Sequence, residues 1–347
     1  MNIEKASQSG KKEWNEFVRK QYPAVGGFMQ SWEWGTFQER LGRAVERYFV
    51  SDGKAPVAAF TLIYHALPSG FRYGYAARGP VVATSDESAL VKIFETIKTW
   101  ARKHAPDLIF LRLEPPISDR PAGLDAGNFQ IPSYYVQPRH NLSVPLSGTE
   151  SEILLSLHPS TRSNVGRAQK RGVTVDIRAE VAVDEYDRFQ NMMRDTITRN
   201  SGVNAYPSKE YFEALFGALS ESAPDADASG GLSLGVFRAY HEGELAATHF
   251  VLFFGSTATY LYGASYTKHL NSKAPTYLHW AAMQEAKRRG MRYYDLGGID
   301  ANLWPKLTEF KRQFRGEETT YVGNIDIPLR PLAYRAYNLL RRLKKQA

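Results

Sequence analysis

The stretch LTEFKRQFRGEE, Leu307 to Glu318, places a lysine where an apolar side chain is expected. Read as a helix at about 100° per residue, Leu307, Phe310 and Phe314 share one apolar arc, and Lys311 lies about 40° from Leu307, inside or at the rim of that arc. Such a lysine either snorkels its ammonium to solvent along an apolar stem or presents it inside a cleft. A second group is cationic. In HPSTRSNVGRAQKRGVTV, Ser160 or Thr161 caps a helix that carries Arg162, Arg167, Lys170 and Arg171 and ends at Gly172. Arg167, Lys170 and Arg171 are neighbours at i, i+3 and i+4, a local positive patch suited either to a solvated face or to phosphates. Two acids, Glu114 in DLIFLRLEPP and Asp295 in MRYYDLGG, end strands ahead of turns, where α/β folds often place functional groups. A cap or a salt bridge is equally at home there. Asp295, followed by Gly297 and Gly298, reads as a turn-shaping residue paired with a nearby cation. Tyr260 and Tyr262 flank Leu261 in one strand, so alternation points both rings to one face, as cleft lining or as a packed pair.

Composition removes several chemistries. The chain has no cysteine, which excludes a disulfide framework, thiolate metal sites and a cysteine nucleophile, and its eight histidines lack the paired spacing of a zinc site. No metal and no cofactor are expected, since loops of the form GxGxxG or GxxxxGK do not occur. Ser265 in GASYT lacks the second glycine of a nucleophile elbow and reads as a turn. The opening MNIEKASQSGKKEW has no apolar core for a signal peptide, and no apolar run reaches a membrane span, so a soluble cytoplasmic protein is expected. The net charge of +8 favours an anionic partner: nucleic acid, a phosphorylated metabolite or a membrane surface.

The elements that must position these residues recur in one order. At 347 residues the chain suits two domains. In the first half AVERYFV and APVAAFTLIYHAL flank an SDGK turn, FRYGYAARGPVV is a further strand, SDESALVKIFETIKTWARKH is an amphipathic helix capped by Ser85 or Asp86, and the strand ending at Glu114 closes the set. In the second half LSLGVFRAY, ELAATHFVLFF and TATYLYGAS form a meander, PTYLHWAAMQEAKRRG is a helix, and a strand again follows, ending at Asp295. This is a repeat of order without identity of sequence. Between the halves PISDRPAGLDAGNFQIP reads as a long loop, a flap over a cleft, and SAPDADASGG as a flexible surface loop. The terminal RPLAYRAYNLLRRLKKQA is a basic amphipathic helix, docked on the first domain or lying on a membrane surface.

Three stretches carry a family resemblance: STRSNVGRAQKRGVTV; TATYLYGASYTKHLNSKAPTYLHWAAMQEAKRRGMRYYDLGGID; and LTEFKRQFRGEETTYVGNIDIPL. They are similar, in order, to three segments of the Fem-type aminoacyltransferases (the FemABX family): Arg-x-x-(Ile/Val)-x-x-Ala-x-x-x-Gly-Val; Tyr-x-Tyr-Gly-Ala-Ser to Tyr-Asp-(Phe/Leu)-Gly-Gly-Ile; and Phe-Lys-x-x-Phe-Gly. FMQSWEWGTFQE resembles the family's Gln-Ser-x-x-Trp helix and FLRLEPP its strand ending in acid-Pro. The resemblance implies an α/β (α+β) fold of two tandem acetyltransferase-like (GNAT-type) domains with mixed sheets and a cleft between them. Residues 1–146, completed by a C-terminal helix at 328–347, form the first domain and 147–327 the second. It implies transfer of an amino acid from aminoacyl-tRNA to an amine on the peptide stem of a peptidoglycan precursor, a nucleotide-linked or lipid-linked muropeptide, without metal or nucleotide cofactor. Lys311 matches the family's lysine, an electrostatic stabiliser facing the cleft with Phe310 beside it, and Glu114 matches its acid-Pro, a general base for the incoming amine.

Departures from the pattern are specific. Where relatives carry a basic residue four places after the Trp of the early helix, this chain has Gln38, and where they carry Arg four places before a Tyr, it has Pro207 ahead of Tyr211. Both positions are associated in the family with the precursor's diphosphate, so either the acceptor is not a nucleotide-linked or lipid-linked muropeptide or Arg162, Arg167 and their neighbours take over. Arg315 stands where glycine is usual. The expectation is a monomer in the cytoplasm, with peripheral contact at the inner face of the membrane. Two further readings stand beside it: an N-acyltransferase using another activated donor such as an acyl thioester, and a non-catalytic protein that binds RNA or a membrane-borne partner.

Overall fold

The computed structural model describes residues 1–22, 27–67, 70–127, 129–132, 134–182, 184–199, 206–220 and 230–346. The loop expected at 222–231 therefore lies outside the described residues up to position 229. The elements are β1 (Asn2–Lys5), α1 (Lys11–Gln21), α2 (Trp32–Arg40), β2 (Val45–Asp52), β3 (Ala55–Ala66), β4 (Arg72–Ala76), β5 (Val81–Val82), α3 (Glu87–His104) and β6 (Leu108–Leu113). There follow β7 (His140–Pro145), α4 (Glu150–Ser156), α5 (Pro159–Lys170), β8 (Thr174–Arg178), α6 (Glu185–Arg199), α7 (Lys209–Ser220), β9 (Ser233–His241), β10 (Glu244–Phe254) and β11 (Thr257–Ser265). The chain ends with α8 (Ala274–Arg288), β12 (Tyr293–Ile299), α9 (Pro305–Arg312), β13 (Glu317–Thr320), β14 (Ile325–Pro328) and α10 (Pro331–Gln346).

These elements form two compact units. One joins Met1–Tyr22, Gln38–Arg139 and Thr320–Ala347; the other joins Pro23–Phe37 and His140–Thr319. The division thus falls at Arg139/His140 rather than at 146/147, because β7 pairs with β12. A short early segment is also counted with the second unit, which the linear order of motifs did not suggest.

In the first unit the sheet order is β1-β2-β3-β4-β6-β14, with β5 on β3, and β4 with β6 is the parallel pair. Parallel neighbours need a crossover, and α3 supplies it. Asp86 caps α3 by accepting the Ala89 N–H at 2.8 Å. Ile93, Phe94 and Ile97, spaced for one helical face, are buried with Phe60, Leu62 and Leu111 of the sheet. The expected flap at 116–132 instead contains a 3₁₀ turn, Ala122–Gly127, that packs on α3, with Leu124 and Phe129 buried. Its end bridges to β14, Gln130 and Asp326 exchanging both backbone hydrogen bonds at 2.8 and 2.7 Å. Two apolar anchors, Leu124 and Phe129, and a strand bridge fasten this segment to the core of the first unit.

The second unit has sheet order β13-β7-β12-β11-β10-β9-β8, and here β11 with β12 is the parallel pair joined through α8. The succession β2-β3-β4-α3-β6 therefore has its counterpart in β9-β10-β11-α8-β12, the repeat of order read from the sequence. Glu242 and Gly243, both at positive φ, make the two-residue turn between β9 and β10 that matches strand twist. Leu278, Ala282, Met283 and Ala286 of α8 bury against Val251, Phe253, Tyr294 and Leu296.

Candidate active site

The second unit opens where its parallel pair ends. β11 and β12 pair only over Thr257–Thr259 against Tyr293–Asp295. Beyond that, β11 stays with β10 to Ser265 and β12 with β7 to Ile299, so a fork forms between them. β12 carries an extra residue between Asp295 and Gly298, and Gly297 sits at φ +78°, a conformation that favours glycine. The bulge turns the Gly298 carbonyl to Lys311, whose Nζ donates to it at 2.7 Å. A β-carbon on Gly297 would lie 3.8 Å from both Lys311 Nζ and the Tyr260 carbonyl oxygen, which places the ammonium at the fork.

Lys311 is only 6% exposed, so it does not snorkel. Burial pushes its pKa down to about 8, partly opposed by the Asp295 carboxylate. Of its three N–H donors, one is on a protein acceptor among the described residues. Asp295 is itself held, accepting the Gly297 N–H at 2.7 Å and the Asn141 side-chain amide at 3.4 Å. The helical arc is rotated from the one expected. Thr308 and Lys311 are the buried residues of α9, and Leu307 is 44% exposed. The reason is polar: Thr308 Oγ1 accepts the Asp300 N–H at 3.0 Å, which ties that face of the helix inward. Phe310 is half-buried against Phe314 and His279, with centroids 5.5 and 5.7 Å away.

Tyr260 and Tyr262 do not share a face. Phe250 opposes Tyr262 and Val251 opposes Tyr260, so Leu261 is an extra residue on β11 that reverses the alternation. Tyr260 meets His249 and His279 edge-on on the α8 side, centroids 4.8 and 4.7 Å away. Tyr262 lies on the α6 and α7 side, where its hydroxyl donates to Tyr211 Oη at 3.1 Å. Tyr211 in turn meets Phe37 edge-on at 4.9 Å. The two histidines are buried and uncharged, His249 pushed down to about 3 by desolvation and His279 by desolvation followed by His249 and Lys311. His279 Nδ1 is 2.9 Å from Tyr294 Oη.

On α5 the cap is His158, not Ser160 or Thr161. Its Nδ1 accepts the Ser160 N–H at 3.2 Å, and Pro159 takes the first helical position. Thr161 is buried and donates to the Gln313 carbonyl at 2.8 Å, fastening α5 to the end of the Lys311 helix. The four cations separate into two pairs. Arg162 donates to the Leu155 and Leu157 carbonyls at 2.9 and 2.5 Å, and Arg171 donates to the Asn271 carbonyl. Arg167, Lys170 and Arg171 are all exposed, and Arg167 and Lys170 make no such bond among the described residues.

In the first unit Glu114 is buried at the end of β6. Its carboxylate accepts the Tyr75 hydroxyl on one oxygen and the Gln137 N–H, at 3.1 Å, on the other, and burial raises its pKa. As a general base it would have to exchange one of these partners for substrate. Gln38 is buried and accepts from Arg43. A cavity of about 810 Å³ lined by Lys5, Glu46, Tyr48, Tyr64 and Arg72 contains none of these residues.

The sequence model of the FemAB family matches residues 10–130, 121–223 and 237–342, nearly the whole chain. The chain belongs to the FemAB family. Among curated relatives, this FemAB chain is 26% identical over 332 residues to the UDP-N-acetylmuramoylpentapeptide-lysine N(6)-alanyltransferase of Weissella viridescens, covering 88% of this chain and 93% of that one. It is 24% identical over 343 residues to the lipid II:glycine glycyltransferase of Staphylococcus saprophyticus, covering 80% and 81%. Among solved structures the FemX crystal structure superposes with a TM-score of 0.78 at 19% identity, over 97% of this chain and 99% of that one. A tandem GNAT protein of the clavulanic acid biosynthesis pathway gives 0.54 at 12% identity, over 94% and 98%. The fold is thus the tandem GNAT-type arrangement that the motifs implied.

Sequence reasoning on this FemAB chain missed the layer of His249, Tyr260 and His279 beneath the fork. Its signal was weak: one histidine inside the strand run THFVLFF and one inside the apolar helix stretch YLHWAAM, thirty positions apart by number. Only pairing of β10 with β11 and packing of α8 bring them to a centroid distance of 4.4 Å.

Proposed function

We propose that this FemAB chain is an aminoacyltransferase that takes an amino acid from the ester of an aminoacyl-tRNA and places it on an amine of a peptidoglycan-precursor peptide. The observation that carries the mechanism is Lys311, a buried ammonium at the strand fork with one donor on Gly298 and two others unspent on protein among the described residues. The acceptor amine attacks the ester carbonyl carbon, a C–N bond forms, the C–O bond to the ribose breaks, and the amine's proton balances the released hydroxyl. Negative charge collects on the carbonyl oxygen in between. A cation held in a dry site stabilises that charge without reorganising. Phe310 excludes water beside it, and Tyr260 lines the fork. Tyr211 and Tyr262, already in contact, offer an aromatic wall with two hydroxyls for the acceptor.

Arg167 and Lys170 are the phosphate-binding pair of this reading, with Arg162 and Arg171 bracing the helix that presents them. Glu114 keeps the segment through Gln137 in place, and Gln38 orients Arg43. An acyl thioester donor carried by coenzyme A fits less well. In the turn before α8, Ser272 Oγ already accepts the Ala274 N–H at 3.2 Å and Pro275 has no N–H, so the helix start that would take a pyrophosphate is largely spent. The reaction belongs in the cytoplasm, where charged tRNA is found.

The test is direct. Purified protein is offered mixed aminoacyl-tRNAs with nucleotide-linked and lipid-linked muropeptides, and products are weighed by mass spectrometry. A mass increase of one amino acid residue supports the reading. Acceptors that stay unmodified with every charged tRNA overturn it.

A further inference from the structure

The C-terminal helix has two apolar faces, and only one of them is used. On the inner face of α10, Tyr334 is buried with Ile109 and Phe110, and Ala333 and Tyr337 pack against the same cluster. Tyr334 donates to Asp326 Oδ2 at 2.8 Å, and Arg330 just before the helix donates to the Pro106 carbonyl at 3.0 Å. Arg341 lies over the Tyr134 ring. These contacts fix the rotation of α10 about its axis. The outer face carries Leu332, Leu339, Leu340 and Leu343, which are 79%, 60%, 61% and 54% exposed. At about 100° per residue, these leucines and the exposed Ala336 fall within an arc of about 100°. Arg335 and Arg342, both exposed, border that arc on one side.

A helix moored by one face cannot turn four leucines inward, so the outer stripe needs a partner or stays wet. We infer that the outer face of α10 is a docking surface for an anionic lipid bilayer, the leucines entering the headgroup boundary and Arg335 and Arg342 meeting lipid phosphates. Charge decides the occupant. The flanking residues are both cationic and the chain carries a net charge of +8, which suits an anionic surface and opposes a second copy bringing the same arginines to the same place. The geometry is that of an interfacial helix lying in the plane of the membrane, its apolar side reaching only the acyl boundary. No helix among the described residues is long and apolar enough to cross a membrane. This surface stands independently of the transferase reading, because it involves no residue of the fork.

Cosedimentation of the full chain with lipid vesicles tests it. The expected result is binding to vesicles of equal parts phosphatidylglycerol and phosphatidylcholine, weak binding to phosphatidylcholine alone, and weakening by added salt. Leu339→Glu with Leu343→Glu should lower partitioning by about tenfold or more, and Arg335→Gln with Arg342→Gln by several-fold with loss of the salt effect. Because all four residues are exposed, melting temperatures should not change, and transfer to a soluble acceptor should persist. Absence of wild-type binding to the anionic vesicles would overturn the inference, as would a leucine variant that binds like wild type. A wild-type dimer in sedimentation velocity that the leucine variant converts to monomer would reassign the face to self-association.

Discussion

At the scale of the residue, the chemistry rests on whether a buried charge is there for function or for structure. Lys311 carries a pKa lowered from 10.5 to about 8, so the folded state holds that proton less tightly than the unfolded chain does. The lysine therefore destabilises the fold below pH 8, and the penalty fades as pH rises from 8 towards 10.5. Lys311→Met should lower turnover by about two orders of magnitude, leave substrate affinity nearly unchanged, and melt at or above the wild-type temperature at neutral pH. Single-turnover kinetics and calorimetry measure both. Wild-type turnover should fall as pH rises through about 8, where the cation is lost, and the residual rate of the Met variant should lack that limb. Glu114 offers the contrasting case. With both oxygens on Tyr75 and Gln137 it acts as an anchor, so Glu114→Gln should keep turnover within about tenfold while lowering the melting temperature. A loss of several orders of magnitude would instead make it the proton acceptor.

At the scale of the element, two one-residue bulges build the fork. The extra residue on β12 aims the Gly298 carbonyl at Lys311, and the extra residue on β11 sends Tyr260 and Tyr262 to opposite faces. The second depends on Gly263, where an added β-carbon would sit 2.4 Å from Tyr260 Oη and 2.5 Å from His249 Cδ2. Gly263→Ala should cost about 1–3 kcal/mol by overpacking that layer, read from urea unfolding, and a neutral result would mean the rings can yield. Helix α5 makes a separate prediction. Since Arg167 and Lys170 are exposed and, unlike Arg162 and Arg171, hold no backbone carbonyl among the described residues, changing both to Ala should, on the proposed reading, reduce the salt dependence of tRNA binding by roughly one to two units of log–log slope. The same change at Arg162 and Arg171 should lower stability more than slope, because those side chains hold backbone carbonyls.

At the scale of the molecule, the chain returns at its end to complete the unit with which it began. β14 adds to β6, and Arg112 on β6 forms a doubly hydrogen-bonded pair with Asp326 on β14, at 2.8 and 2.7 Å, 214 positions away. Both are buried, and Tyr334 of α10 donates to the same carboxylate. Removing one partner strands the other without solvent. Asp326→Ala should therefore cost about 3–5 kcal/mol and loosen α10, measured as loss of amide protection in that helix alongside the shift in urea midpoint. An unchanged midpoint would show that water or relaxation replaces the pair.

Much of this was legible in the sequence because it is local. Hairpin turns, the periodicity of α3 and α8 and the order of strands follow from residue spacing within a dozen positions, and the Fem-type motifs follow from the sequence alone. What tertiary structure decided is non-local. Alternation predicts one face for Tyr260 and Tyr262, but register with β10 inserts Leu261 and separates them. A helical wheel puts Leu307 inside, but Thr308 bonded to Asp300 turns it out. Four cations on one helix look equivalent until Arg162 and Arg171 find carbonyls on other segments. Periodicity reports how a segment repeats. Which side of it meets protein, and which charge is already spent, depends on partners brought together only by the fold.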